Sequence, residues 1–333
     1  MKKTLIALAV LSGFVGAASA QSSVTLSGSA DLGLVRQNGV WNMANAASSR
    51  TAFTLSGTED LGGGMRAFFL MNHRFHLNTG AQRDSNAFWR QGWVGLGGGF
   101  GDLRLGKILP PLQDFNGQFE PWGGGDTVAS THTGGIYAGN TALGSRYNNS
   151  IYYRSPSLGG LAVHAMIAAS DQNSQVTPGS GTTLPGTGTE RPMGFGAIYG
   201  AGPLRFAAAY DRNGNDMKTV GVYGSLNAGF ATLQAQWERG DMLPTAPIED
   251  ASRWSIGASV PMGAAVLKAG YTKWSDEDVK KFGFGLDYNL SKRTLLYTNL
   301  GKLSGDGLAG TAAGALSDDN RKSRFDFGIT HRF

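Results

Sequence analysis

Arg324-Phe325-Asp326-Phe327-Gly328-Ile329-Thr330-His331-Arg332-Phe333 closes the chain, and its reading decides the fold. Phe325, Phe327, Ile329, His331 and Phe333 alternate with Arg324, Asp326, Gly328, Thr330 and Arg332. A period of two puts successive side chains on opposite faces of a strand. One face is then aromatic and apolar, and the other carries the charge. On a lipid-facing wall a charge at mid-bilayer costs about 2–4 kcal/mol, so the apolar set is expected to meet lipid and the charged set a wet lumen.

The same parity recurs upstream. Leu103 and Leu105 oppose Arg104, and Phe282, Phe284, Leu286 and Tyr288 oppose Lys281 and Asp287. By this pattern strands are expected at about Val24–Leu34, Arg50–Thr58, Met65–Phe75, Phe88–Leu96, Gly101–Lys107, Arg146–Arg154, Leu161–Ala169 and Met193–Tyr199. The second half continues at Leu204–Asp211, Met217–Leu226, Ala231–Arg239, Ser252–Val260, Ala264–Trp274, Val279–Tyr288, Thr294–Leu300 and Arg321–Phe333. Short turns such as Gly62-Gly63-Gly64 and Gly200-Ala201-Gly202-Pro203 alternate with long polar connections such as Ser170 to Arg191. An even count of about sixteen strands, with short turns on one rim and long loops on the other, is the pattern of a transmembrane antiparallel up-and-down β-barrel. A soluble sandwich does not accommodate sixteen strands in strict up-and-down order around one core. The expected fold class is therefore all-β. Trp41, Trp89, Trp93, Trp237, Trp254 and Trp274 fall near strand ends or faces, where an aromatic girdle is expected.

Composition agrees. The chain has 51 Gly and no Cys, and no stretch beyond residue 20 has the roughly 18 unbroken apolar residues of a membrane helix. Met1-Lys2-Lys3, the apolar run Leu5 to Val15 and Ala18-Ser19-Ala20 form the signature of a cleaved signal peptide over residues 1–20, leaving a barrel domain over 21–333. Loss of Lys2 and Lys3 lowers the formal net charge from +5 to +3, too near neutral to suggest a nucleic-acid partner. Absent cysteine excludes thiol chemistry and zinc fingers, and His73, His76, His132, His164 and His331 lack metal-ligand spacing, so no cofactor or metal is expected. Gly97-Gly98-Gly99 lacks the Lys-Ser/Thr of a phosphate loop. No catalytic constellation can be located, which leaves a barrel hydrolase as a remote alternative.

The alternation stops from Ile108 to Ser145. This stretch holds Asp114, Glu120 and Asp126 but no Lys or Arg, and its Phe115, Phe119, Trp122 and Tyr137 argue against simple disorder. A long irregular segment inside a regular domain reads as functional. Strand parity sets Arg66, Arg74 and Arg104 on the lumen face.

Several motifs carry a resemblance. They are Gly57-Thr58-Glu59-Asp60-Leu61-Gly62-Gly63-Gly64, Arg90-Gln91-Gly92-Trp93-Val94-Gly95-Leu96, Arg146 to Pro156, Leu290-Ser291-Lys292-Arg293-Thr294 and Phe327 to Phe333. In this order the chain resembles the general trimeric porins of Gram-negative outer membranes, β-proteobacterial branch, over essentially all of its mature length. The resemblance implies a passive channel for small hydrophilic solutes and ions, a homotrimer in outer-membrane lipid, and a third extracellular loop, here 108–145, folded into the lumen. Glu120-Pro121-Trp122-Gly123-Gly124-Gly125-Asp126 resembles that loop's Pro-Glu-aromatic-Gly-Gly-Asp sequence with Glu and Pro exchanged and one Gly more. It implies Arg50 and Arg90 as basic wall residues of the constriction, opposite Asp114, Glu120 and Asp126, and Phe333 as the signal read by the barrel-assembly machinery. Rings of Arg favour anions, so the wall count and the net charge imply weak anion selectivity. A substrate-specific porin with a lumenal binding site is the nearer alternative.

Overall fold

The computed structural model describes residues 22–37, 40–44, 51–83, 87–124, 127, 129–131, 146–169, 190–214, 216–241, 250–275, 279–304 and 324–333. Arg50, Asp126 and residues 1–20 lie outside these. Among the described residues, seventeen strands form one sheet. In chain order they are β1 (Ser23–Gln37), β2 (Val40–Ala44), β3 (Ala52–Gly62), β4 (Met65–Arg74), β5 (Gln91–Gly98) and β6 (Gly101–Ile108). A helix, α1 (Pro111–Gln118), precedes β7 (Tyr147–Arg154), β8 (Leu161–Ala168), β9 (Met193–Ala201), β10 (Leu204–Arg212), β11 (Lys218–Asn227) and β12 (Thr232–Gly240). Last come β13 (Ala251–Met262), β14 (Ala265–Trp274), β15 (Val279–Asn289), β16 (Thr294–Ser304) and β17 (Arg324–Arg332).

Closure is direct. β1 pairs antiparallel with β17 from Ser29↔Arg332 to Arg36↔Phe325. Its other edge is shared in series, by β3 along Ser23–Ser29 and by β2 along Gly33–Gln37. Sixteen strands thus close the wall, as the alternation predicts, and β2 is a short extension of the β3 position. At the seam Phe333 N donates to Gly28 O at 3.1 Å and Gly28 N to Phe333 O at 3.0 Å. A Cβ on Gly28 would stand 2.6 Å from the Phe333 ring, so glycine lets the last residue lie flat on β1. Above it the fully buried Asp31 accepts from Tyr297 Oη at 2.9 Å and Thr330 Oγ1 at 2.5 Å, tying β1 to β16 and β17 through one carboxylate.

The two faces segregate as the parity demands. On β17 Ile329 is 45% exposed while Asp326 and Thr330 are fully buried; on β15 Phe282 and Phe284 are exposed while Lys281 and Asp287 are buried. Trp41 and Trp237 lie on the exposed face, and Trp254 is the cross-strand partner of Trp237. Trp93 and Trp274 correct the girdle expectation. Trp93 shares the inward parity of buried Gly95, and Trp274 is 2% exposed beside inward Thr272. Nearness to a strand end does not decide the face; parity does. Phe88 and Trp89 likewise precede β5 instead of starting it. The Phe88 ring stacks on His73 at 4.0 Å and the Trp89 ring meets Phe53 edge-on, which diverts the chain before the ladder begins at Gln91.

Candidate functional site

Where the sequence reads as irregular, Pro111–Gln118 is a helix. Pro at its first position costs no hydrogen bond, because that N–H has no partner inside a helix. Leu112, Phe115 and Phe119, spaced i, i+3 and i+7, form one buried stripe. That stripe packs on Ala207 and Ala209 of β10 and Tyr223 of β11, whose side chains lie on the face opposite the exposed apolar one. Each such burial contributes about 1.5–3 kcal/mol. The apolar spacing was legible in the sequence; the break in alternation concealed it.

Beyond the helix, the segment is hydrogen-bonded to buried side chains of β12, β13, β15, β16 and β17. Gln236 Nε2 donates to the carbonyls of Asn116 at 2.9 Å and Phe119 at 2.7 Å. Asn116 Nδ2 donates to Glu238, whose carboxylate also accepts from Tyr223 Oη at 2.9 Å. Arg253 joins Glu238 at 2.8 Å, both side chains fully buried, and gives its other terminal nitrogen to Thr131 O at 2.9 Å. Lys281 Nζ donates to Ser130 O at 2.6 Å. Trp122 Nε1 donates to Asn299 Oδ1 at 2.9 Å, and Asn299 and Thr127 both donate to Asp326.

The wall makes room for this seat by omitting side chains. A Cβ on Gly196 would stand 2.6 Å from the Phe115 ring, on Gly257 2.5 Å from Pro121, on Gly270 2.5 Å from Thr131 and on Gly283 2.0 Å from Ala129 O. A Cβ on Gly285 would stand 2.8 Å from Trp122 Nε1. None of these glycines sits at a turn, so the close approach of the segment is their physical reason.

The acids part company. Glu120 is 3% exposed and closes the segment on itself: its oxygens accept from Gly124 N at 2.6 Å, Ser130 Oγ at 2.8 and 2.9 Å, and Thr131 N and Oγ1 at 3.0 Å. Asp114, on the helix, accepts from Gln118 Nε2 at 3.1 Å. Burial pushes its carboxyl up from the ordinary 3.8, while Arg104, Arg154 and Arg146 pull it down through space. Among the described residues no guanidinium reaches direct ion-pair distance of Asp114, and the arginines act on it through space. A cavity of about 300 Å³ borders Asp114 and Arg146.

The basic residues spread over the wall. Arg104 faces inward with its guanidinium 4.8 Å from the Trp93 ring, 5.3 Å from Tyr152 and 5.9 Å from Phe68. Arg66 pairs with Asp102 near the short-turn end of β4, away from Asp114. Arg74 ends β4 and is buried, and buried Arg90 stands just before β5, its N–H on Asn72 O at 2.9 Å. Sequence reasoning missed Arg146 and Arg154 as arginines acting on Asp114, although Arg154 has the parity of buried Tyr152 on β7. It also missed Arg253, Gln236 and Lys281 as fasteners, since pairing across the barrel leaves no mark on local pattern.

Comparison with known proteins bears on this arrangement. A search of solved structures matches an anion-selective porin from Comamonas acidovorans over 94% of this chain and 100% of that one, at 24% identity and TM-score 0.73. The trimer form of OmpT from Vibrio cholerae matches over 94% and 99%, at 12% identity and TM-score 0.67. Among curated proteins, an outer membrane porin protein of Bordetella pertussis is 28% identical over 403 aligned positions, and outer membrane porin protein 32 of Delftia acidovorans is 29% identical over 374, each spanning both chains completely. The family model for the Gram-negative porins matches residues 7–308. With a closed sixteen-stranded barrel, apolar outside and polar inside, the chain belongs to the Gram-negative porins, passive channels of the outer membrane.

Proposed function

We propose that the segment from Ile108 to Thr131 crosses the lumen and sets the narrowest section of the channel, and that this section favours small hydrophilic anions. The observation that carries the preference is the grouping of arginines about Asp114: Arg146 borders the same cavity, and Arg104, which also pairs with Asp102 at 3.7 Å, and Arg154 act on its carboxylate through space. Glu120 adds little opposing field, because its oxygens are turned into the segment's own backbone and hydroxyl groups. In a narrow pore with low-dielectric walls, guanidinium groups raise the local concentration of anions and oriented water excludes apolar solutes. Arg50 and Asp126 extend the basic wall and the acidic segment in this reading. Arg66, Arg74 and Arg90 contribute to the wall field more distantly than Arg104.

Residues 1–20 serve as the export signal, and Phe333, clamped to Gly28, is the terminal signal for assembly of the barrel into outer-membrane lipid. A homotrimer is the assembly consistent with the family. Planar-bilayer reversal potentials under a KCl gradient test the preference. A chloride-favouring potential supports it, and a potassium-favouring one refutes it.

A further inference from the structure

We infer that the outer wall over β10–β15 holds one lipid of the outer leaflet, with an acyl chain in a groove across those strands and a phosphate on Lys273. The groove has a volume of about 670 Å³ and is lined almost wholly by apolar groups. One end lies at Leu204, where β10 leaves a short turn, and the other at Phe282, near the end of β15 that meets a long connection. From β10 to β15 there are five inter-strand steps of about 4.8 Å, an oblique path of about 24 Å that suits one extended chain.

The groove arises where side chains are small. Gly224 with Ala235, and Ala258 with Ala269, are cross-strand pairs on the outward face and form its floor. Phe206, Ile256 and Phe284 beside them are each about half exposed. In an outer-membrane barrel this face meets hydrocarbon, and a recess left unfilled there forfeits dispersion contact along its walls. Where the head lies follows from two further observations. Trp254, Tyr271 and Phe282 run ring to ring along one margin, with centroids 5.2 and 4.7 Å apart, and aromatic rows of this kind sit at headgroup level. Lys273 follows Tyr271 by two residues on β14, on the same face and about 7 Å nearer the long connections. Its ammonium makes no ion pair among the described residues, whereas Lys280, directly opposite in the ladder, is already engaged. An ammonium at headgroup level above an apolar groove is the chemistry that receives a phosphate-bearing lipid.

Native mass spectrometry of the folded protein in detergent tests this, with dipalmitoylphosphatidylglycerol and the uncharged dipalmitoylglycerol as probes. The unmodified chain is expected to retain one phosphatidylglycerol, and to retain it about tenfold better than the diacylglycerol, the size of one charge-assisted hydrogen bond. Lys273→Gln should abolish that preference and leave diacylglycerol retention as it was. Ala235→Leu with Ala258→Leu fills the floor and should lower retention of both lipids about tenfold, the loss of about two buried methylenes. Ala197→Leu, on the outward parity of β9 and outside the groove, should change neither. Equal retention in the double variant and in Ala197→Leu overturns the groove. A preference for phosphatidylglycerol that survives Lys273→Gln overturns the phosphate anchor. Loss of a stable oligomer in the double variant, with lipid retention intact, assigns this face to a second copy of the chain and overturns the lipid reading.

Discussion

Gly283→Ala adds a single methyl group to the inner wall, and its consequence can be worked through from the seat of the segment. The new Cβ would lie 2.0 Å from Ala129 O, 2.8 Å from its carbonyl carbon and 3.0 Å from its Cα, all backbone atoms that no rotamer change removes. Relief requires the segment to retreat by more than an ångström. Lys281 Nζ holds the next carbonyl, Ser130 O, at 2.6 Å, and Trp122 is tied to Asn299 at 2.9 Å, so retreat strains both. Overpacking of this kind costs about 1–3 kcal/mol, and loosening a hydrogen bond to a charged group adds a comparable amount. Taking about 1–3 kcal/mol alone, the ratio of seated to unseated segment falls by about five- to 150-fold. The assay is single-channel recording in planar bilayers, with the outward-facing Gly224→Ala as control, since its Cβ meets Phe206 only at an ordinary 3.6 Å. Gly283→Ala is expected to show a higher mean conductance and added open-channel fluctuation, with Gly224→Ala unchanged. Identical conductance and noise in the two variants would refute the claim that this segment limits the pore.

Arg253→Ala leaves Glu238 buried without its partner, a loss of about 3–5 kcal/mol, read as a lower temperature for the gel-mobility change that marks barrel unfolding; Arg253→Met with Glu238→Leu should recover most of it. Because burial raises the Asp114 pKa in the folded chain, its contribution to stability is full below the ordinary carboxylate value and is lost as pH rises through the raised one. The same protonation removes the acid facing three arginines, so chloride preference should grow as pH falls towards that range, and Asp114→Asn should flatten the dependence; reversal potentials at stepped pH decide it. Both Arg66 and Arg104 pair with Asp102, but only Arg104 also acts on Asp114, so Arg104→Gln should move the reversal potential at neutral pH towards potassium and Arg66→Gln should move it less. Deleting Phe333 removes both backbone hydrogen bonds to Gly28 and should leave a larger unfolded fraction on semi-native gels.

What the sequence determined by itself was the barrel. Alternation of the kind seen from Phe325 to Phe333 is local: each strand states its own two faces, and hydrogen-bonded neighbours need only obey it. The strand count, the exposed face of Phe282 and Phe284, and the turn of Arg104 towards buried Tyr152 all follow from that rule and all hold in the structure. Tertiary structure decided what happens at the break in alternation. Glu120 and Asp114 look alike in sequence, six residues apart in one acidic stretch. One closes the segment on Ser130 and Thr131, while the other faces Arg104 of β6, Arg154 of β7 and Arg146 just before β7. Gly196, Gly257, Gly270 and Gly283 read locally as small members of an alternating pattern, and only the segment lying on them explains why no side chain is tolerated there. The physical reason is range. Strand faces are set by neighbours two residues away, whereas the seat of the segment is set by contacts between residues more than a hundred positions apart, such as Asn116 with Gln236 and Trp122 with Asn299.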